Sequence, residues 1–535
     1  MRGRHHLWLL PVAVLVHRGM LFVRHGADLN ALFLANPSWI VVQLHARQAL
    51  DDQPWAALWF LQQSPPIPNA LVAGLLQISS WPLGIGWWLV AFQVLCTLAI
   101  ALLLAEIGRR VVPSWAATGL GLLWILSPDV VVLETTGIGQ VFYENLAALG
   151  VLASLYACLR WHESALLRWA VGAGLLVGLL ALTRSSYAYS SLVLVAAMWA
   201  RSYVVDPVRR RAALRYVAWF AAVALCVQGA WALKNLLVFG HWTWPASTWG
   251  GASLAASTDG IGAGDDLVAS ILAESHRYEP WFVEFVERNG ARPWTYTWQD
   301  ESHCPAKYRE HDSRVTERLN HHNRRDNSQC LRGFSKEFGN ASIRFLSRRP
   351  DVLARKLKLA YATYWFPIRY HGGQYLSLFS VDWRVERSLR PWRGVRQLLS
   401  GDLPEPAYVT IGTWPDTVLH PARLFTLDRL AVVWWMVELL VLHLVTPIVL
   451  IVVAYRVLRN RRLAESRDFL VLAMALTYLY SAGVHNLVEF GENMRFRWNV
   501  EPVIWLLVAD SVARCLRVAV RQRSTRRSVP VDGPS

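Results

Sequence analysis

The sequence predicts an all-α polytopic membrane protein, and three observations carry that prediction. Of its 535 residues, 54% are hydrophobic and only 17% are charged, a balance that belongs to chains crossing a bilayer. Several apolar runs reach the roughly 20 residues that a helix needs to span the hydrocarbon. The basic residues behind the net charge of +16 gather in short clusters beside those runs, as in "EIGRR", "VVDPVRRRAALR", "YRVLRNRRL" and "RQRSTRRS". That pattern follows the positive-inside rule, not the continuous basic face of a nucleic-acid binder.

Taken in order, the apolar runs place about ten helices, near residues 7–24, 82–105, 114–133, 141–160, 166–183, 186–201, 215–234, 429–455, 468–488 and 499–519. The first run, in "MRGRHHLWLLPVAVLV", has the basic start of a signal peptide. No small-x-small cleavage site follows it closely, and the many later runs favour a retained helix. With the N-terminus inside, the second, fourth and sixth spans end at Arg109 and Arg110, Arg160, and Arg209 to Arg211, all cytoplasmic. The same parity places the Arg-rich tail inside and the segment from Lys234 to about Asp428 outside, as expected for a multi-pass protein of the plasma or inner membrane. The 28 tryptophans fit bilayer interfaces better than a ligand site.

Four regions follow from this count. Residues 1–234 form an N-terminal transmembrane module with an acidic first outer loop, and 235–428 a small extracytoplasmic domain between spans seven and eight. Residues 429–519 return through the membrane, and 520–535 form a basic cytoplasmic tail. Within the outer region, "LARKLKLAYATYWFPI" near 353–368 is apolar on one side and carries Arg355, Lys356 and Lys358. It reads as an interfacial amphipathic helix, because a full crossing would reverse every later loop; a paired re-entrant segment is the alternative.

The residues able to carry chemistry lie on the outer pieces. Asp51 and Asp52 are adjacent carboxylates ahead of the helix-stopping Pro65, Pro66 and Pro68. They suit a general base or a metal-diphosphate ligand, although an acidic pair on a solvated turn is the commoner meaning of such residues. Glu134 and Glu144 flank a glycine-rich turn, and a carboxylate at membrane depth faces either a cavity or interfacial water. Arg184, in "LTRSS", offers a planar fork for phosphate or an anchor for lipid headgroups. Lys234 and Asn235 close the seventh span before the loop "VFGHWTWPASTWGG". Near the end, "GENMRFRWNVEP" sets Glu492, Arg495, Arg497 and Glu501 close in sequence to His485 and Asn486; such charges pair internally or line a polar cavity.

Of the six cysteines, only Cys304 and Cys330 lie in the long polar segment, where a disulfide is plausible in an oxidising compartment. His303, His311, His321 and His322 beside them match no usual zinc spacing. Asn340, in "NAS", fits a glycosylation sequon.

Together these pieces resemble the polytopic GT-C superfamily of glycosyltransferases, which includes protein O-mannosyltransferases and lipid A aminoarabinose transferases. The resemblance runs over roughly residues 20–510 and rests on the acidic first loop with "SPP", the acidic second turn, "LTRSS", "KNLLVFG" with "STWGG", and "GENMRFRWNVEP". It implies a polyprenyl-phosphate sugar donor, an extracytoplasmic site in the cell envelope, and a glycan, lipid or protein acceptor arriving from outside. Carried onto this chain, it makes Asp51 or Asp52 the catalytic base, with Asp28 as the alternative nearer the first span. Glu134 and Glu144 become the second acidic motif, and Arg184, Lys234, Arg495 and Arg497 the candidates for the donor phosphate. A divalent cation, Mg or Mn, is an open cofactor. The chain departs from the family in having Gln62 and Gln63 where a histidine usually precedes the paired prolines, and in lacking an acidic pair directly after the first span. The competing expectation is a non-catalytic membrane protein that binds or transports a lipid-linked saccharide, although no internal repeat of the transporter kind is visible.

Overall fold

The computed structural model describes residues 6–20, 23, 47–62, 64–78, 84–126, 130, 143–204, 207–244, 250–291, 304–320, 327–365, 441–448, 451–452, 455, 466–488 and 497–527. Among these residues the regular structure is entirely helical, as the sequence predicts. Three helices are long and apolar enough to cross a membrane: Trp87–Gly108, Arg210–Phe239 and Ser466–Val488. Shorter apolar helices cover Leu9–Met20 (α1), Pro66–Ile78 (α4), Ser114–Leu126 (α6) and Leu167–Thr183 (α8). Helix α4 was not among the ten expected runs, because Pro65, Pro66 and Pro68 read as a helix stop; Pro66 and Pro68 fall instead in its first turn, where a missing N–H costs little.

The bundle is built from antiparallel neighbours. Helix α5 (Gly84–Gly108) turns over Arg109–Pro113 into α6, with Val111 N–H donating to Gly108 O at 2.8 Å. Helix α7 (Tyr143–Ser164) is capped by Ala165, which takes the left-handed φ of 51° and donates its N–H to Trp161 O, and α8 then runs back. Helix α9 (Ser190–Val204) precedes the 33-residue α10 (Pro207–Phe239). Helices α8 and α10 pack backbone to backbone: a Cβ on Gly174 would lie 2.4 Å from Phe220 O. Lipid gives apolar helices little reason to associate, so this small-residue contact supplies close van der Waals packing.

The bundle has two chemically distinct ends. At one, charged side chains tie helices together: Arg110 pairs with Glu163, which also takes Arg160. The second tie joins α17 (Ser466–Val488) and α18 (Glu501–Arg527), where Asp510 accepts from Arg467 and Arg514, and Arg514 reaches Asp468. The opposite end carries a separate helical unit.

That unit contains α11 (Gly250–Thr258), α12 (Gly264–Ala273), α13 (Pro280–Asn289), α14 (Ala306–Arg318), α15 (Gln329–Arg348) and α16 (Pro350–Trp365). Its own core centres on Phe282, Phe285, Phe334 and Phe338, with Phe285 and Phe334 ring centroids 4.5 Å apart. The expected Cys304–Cys330 disulfide is formed, with Cα atoms 5.7 Å apart. Ser328 caps α15 by accepting from Leu331 N–H, and Gly251 meets Ser335 O so closely that an added Cβ would lie 1.8 Å from it. Helix α16 covers the segment expected to lie at the interface. Arg355 and Lys358 are exposed, but Lys356 is fully buried and donates to Leu487 O at 2.5 Å, docking the helix on the end of α17.

Candidate functional site

The end of the bundle beneath the helical unit holds two buried ion pairs. Glu144 stands in the first turn of α7, and Arg184 lies just past α8 in extended backbone, φ −147° and ψ 118°. Their side chains form a buried ion pair, 0% and 7% exposed, and the Arg184 guanidinium sits 5.5 Å from the centroid of the Tyr143 ring. The single turn Ser185–Tyr187 follows, and α17 grips it from the side. Tyr480 donates to Ser186 O at 2.5 Å, and His485 Nε2 lies 2.9 Å from Ser186 Oγ. One helical turn earlier, Ser481 Oγ lies 3.1 Å from His485 Nδ1 and 3.4 Å from the Tyr187 hydroxyl. The spacing of Ser481 and His485 puts both on one face of α17, so a single helix face meets the turn carrying Arg184.

A second ion pair enters from the start of α18. Arg497 Nε stands 2.8 Å from Glu501 Oε2 with both side chains buried, and Trp505 donates to Glu501 Oε1 at 3.1 Å. The fully buried Tyr364 of α16 lies within electrostatic reach of Arg497, Glu501 and Tyr187. Tyr187 in turn is within reach of Arg184 and Glu144, so two buried tyrosines, Tyr187 and Tyr364, link the neighbourhoods of the two ion pairs. Two guanidinium cations face two carboxylates there, and such burial is tolerable only because each charge has its partner.

The first loop approaches the same end. Asp51 and Asp52 are exposed at the close of the short α2 (Arg47–Asp52), and Asp51 O accepts from Gln77 at 2.8 Å. Leu50, between them and Ala49, packs in one apolar cluster with Tyr143, the residue beneath the Arg184 guanidinium. Next comes α3 (Pro54–Trp59), and the four residues Trp59 to Gln62 are held from two sides. Lys234 of α10 donates to Trp59 O at 3.3 Å and to Leu61 O. Asn327 accepts from Gln62 N–H at 2.9 Å, takes the Gln62 side-chain amide on its own carbonyl at 2.7 Å, and donates to Phe60 O at 2.8 Å. Lys234 therefore spends its donors on carbonyl oxygens, and among the described residues no carboxylate pairs with it.

Asn327 belongs to a small polar seam at the base of the helical unit. Asp312 accepts from Gln329 N–H at 2.9 Å, and the Gln329 side-chain amide lies 3.2 Å from His241 Nδ1. Burial, with the Arg332 cation adding to it, holds the His241 imidazole down at about 4, so it is neutral at pH 7. Burial likewise lowers His311.

The structure pairs Glu144 with Arg184 and Arg497 with Glu501, relates the two pairs through Tyr187 and Tyr364, and places Leu50, next to Asp51, in an apolar cluster with Tyr143. Asp28, Glu134 and Arg495 lie outside the described residues. Nothing in the sequence singles out Tyr187, Ser481, Tyr364 or Asn327. Tyrosine and serine beside apolar runs read as interfacial packing, and only the i, i+4 step from Ser481 to His485 was a usable signal. Among the described residues, no three His, Cys, Asp or Glu side chains stand together as metal ligands. Comparisons with protein-family models, with curated proteins and with solved structures find no match.

Proposed function

We propose that this chain is a multi-pass membrane glycosyltransferase of the GT-C kind, with about ten spans, both termini cytoplasmic and the helical unit on the outer face of the plasma or inner membrane. Its donor is a polyprenyl-phosphate sugar, and its acceptor is an extracytoplasmic hydroxyl on a glycan, lipid or protein. The observation that carries this reading is the pair of buried arginines, Arg184 and Arg497, at the bundle end reached by the carboxylate-bearing first loop. An arginine has five N–H donors in a fixed fork, so it can serve a carboxylate and a phosphate together.

In this reading, Asp51 or Asp52 takes the proton of the acceptor hydroxyl, and the oxygen attacks the anomeric carbon. The bond from that carbon to the phosphate oxygen breaks, and its electron pair leaves with the polyprenyl phosphate, which Arg184 and Arg497 stabilise. Attack opposite the leaving group inverts the anomeric centre. Glu144 and Glu501 hold the two guanidinium groups in place. No acidic cluster among the described residues fits Mg or Mn, and no step here passes through a metal.

A second reading, a non-catalytic protein that binds or carries a lipid-linked saccharide, is favoured by one observation: Asp51 and Asp52 stand exposed while the arginines already have partners. Incubating the purified protein with radiolabelled polyprenyl-phosphate sugars separates the two. Labelled product that Asp51→Asn with Asp52→Asn abolishes marks the transferase; bound donor without product, unchanged by those substitutions, marks the carrier.

A further inference from the structure

We infer that Lys234 and Asn327 are positioning residues that clamp the first loop between the membrane bundle and the outer helical unit, a claim that rests on the transferase reading only for its effect on turnover. The segment Trp59–Gln62 starts at the last residue of α3; Phe60 N–H turns back to Ala56 O and Leu58 O, while the carbonyls of Trp59, Phe60 and Leu61 are taken by side chains from elsewhere. Lys234 takes two of the carbonyls in this stretch, Trp59 O and Leu61 O, from the bundle side. Asn327 takes Phe60 O, the Gln62 N–H and the Gln62 side chain from the other side. Backbone atoms of four consecutive residues are therefore held by two side chains 93 positions apart in sequence, one in each unit.

The clamp itself is braced. Lys234 Nζ lies 3.7 Å from the centroid of the Trp231 ring, which directs the ammonium toward the loop. Asn327 directly precedes Ser328, the cap of α15, and the disulfide at Cys330 ties the start of that helix to Cys304. Apolar contacts complete the seat: Phe60 and Ala56 pack on Phe239, Val315 and Leu319. Upstream, Gln77 holds Asp51 O, so the stretch bearing Asp51 and Asp52 is fixed at both ends. A docked ammonium with carbonyl partners is poorly placed to follow a phosphate, and its loss should loosen the loop instead.

The test compares full-length protein in nanodiscs, wild type beside Lys234→Met, Lys234→Arg, Asn327→Ala and Gln62→Ala, by hydrogen exchange of peptides covering residues 53–62 and by donor binding and turnover. The clamp predicts exchange about tenfold faster or more in Lys234→Met and Asn327→Ala, since each loses two hydrogen bonds to the segment. A smaller rise is expected in Gln62→Ala, with recovery in Lys234→Arg. Donor affinity stays within about twofold while kcat falls. Unchanged protection in Lys234→Met and Asn327→Ala overturns the clamp, as does a donor affinity lost in Lys234→Met with the loop still protected. The transferase reading fails separately: if Asp51→Asn and Asp52→Asn leave turnover intact while the exchange result holds, the clamp stands without that base.

Discussion

Replacing Glu144 by glutamine removes one charge of a buried pair and leaves its shape. The Glu144 side chain is fully buried and Arg184 is 7% exposed, so water cannot take over the solvation of the guanidinium that remains. Breaking a buried pair from one side costs about 3–5 kcal/mol, because the surviving charge is left without compensation. At about 1.36 kcal/mol per tenfold, that lowers the folded-to-unfolded ratio by roughly two to nearly four orders of magnitude. Replacing both members by apolar residues of similar volume, Glu144→Leu with Arg184→Met, should cost far less than the sum of the single changes. Equilibrium unfolding in mixed micelles, run as a double-mutant cycle, measures this directly. A Glu144→Gln cost under about 1 kcal/mol, with no coupling to Arg184, would refute the claim that the pair is buried and mutually compensated.

Three further predictions concern the helical unit and its base. Cys330→Ser opens a loop whose ends are 26 residues apart, and the chain-entropy estimate puts the loss near 3.5 kcal/mol, readable as a lower Tm under non-reducing conditions. Gly251→Ala forces α11 away from α15, because the new Cβ would lie 1.8 Å from Ser335 O; a loss at or above the upper end of roughly 1–3 kcal/mol is expected in thermal unfolding. His241 is held down from 6.5 to about 4, so across that window the unfolded chain binds more protons than the folded one. Stability contributed by the neutral imidazole is therefore present above pH 6.5 and lost as pH falls toward 4. Tm measured against pH should show this slope in the wild type and a flatter one in His241→Gln.

Much of the fold was legible in the chain because apolar length and basic punctuation are one-dimensional signals. The helices Gly84–Gly108, Tyr143–Ser164, Leu167–Thr183 and Ser466–Val488 start and end within a few residues of the runs that predict them. Helix α10 extends well beyond its run, to Pro207–Phe239, since Arg209 to Arg211 are compatible with helix although not with hydrocarbon. The Cys304–Cys330 pairing was readable because only these two cysteines share the polar segment. The polar centre was harder to see. Glu144 and Arg184 are 40 residues apart and Tyr187 and Ser481 are 294 apart, so nothing local reports that they meet. Lys234 shows the same limit: the resemblance implies a phosphate for it, and only the fold reveals two carbonyls in its reach. Lys356 looked like one of three solvated cations on an amphipathic helix, yet it is the one that faces inward.

On the transferase reading, the paired arginines Arg184 and Arg497 beneath the helical unit receive the phosphate of a lipid-linked donor. A photoactivatable polyprenyl-phosphate sugar, cross-linked to the protein in nanodiscs and mapped by mass spectrometry, tests it most directly. Cross-links are expected in peptides spanning residues 143–151, 183–190 and 481–505, displaced by unlabelled donor and lost in Arg184→Met or Arg497→Met. Labelling that is confined to the opposite end of the bundle, near Arg110, Arg160 and Arg514, or that survives both substitutions, would contradict it.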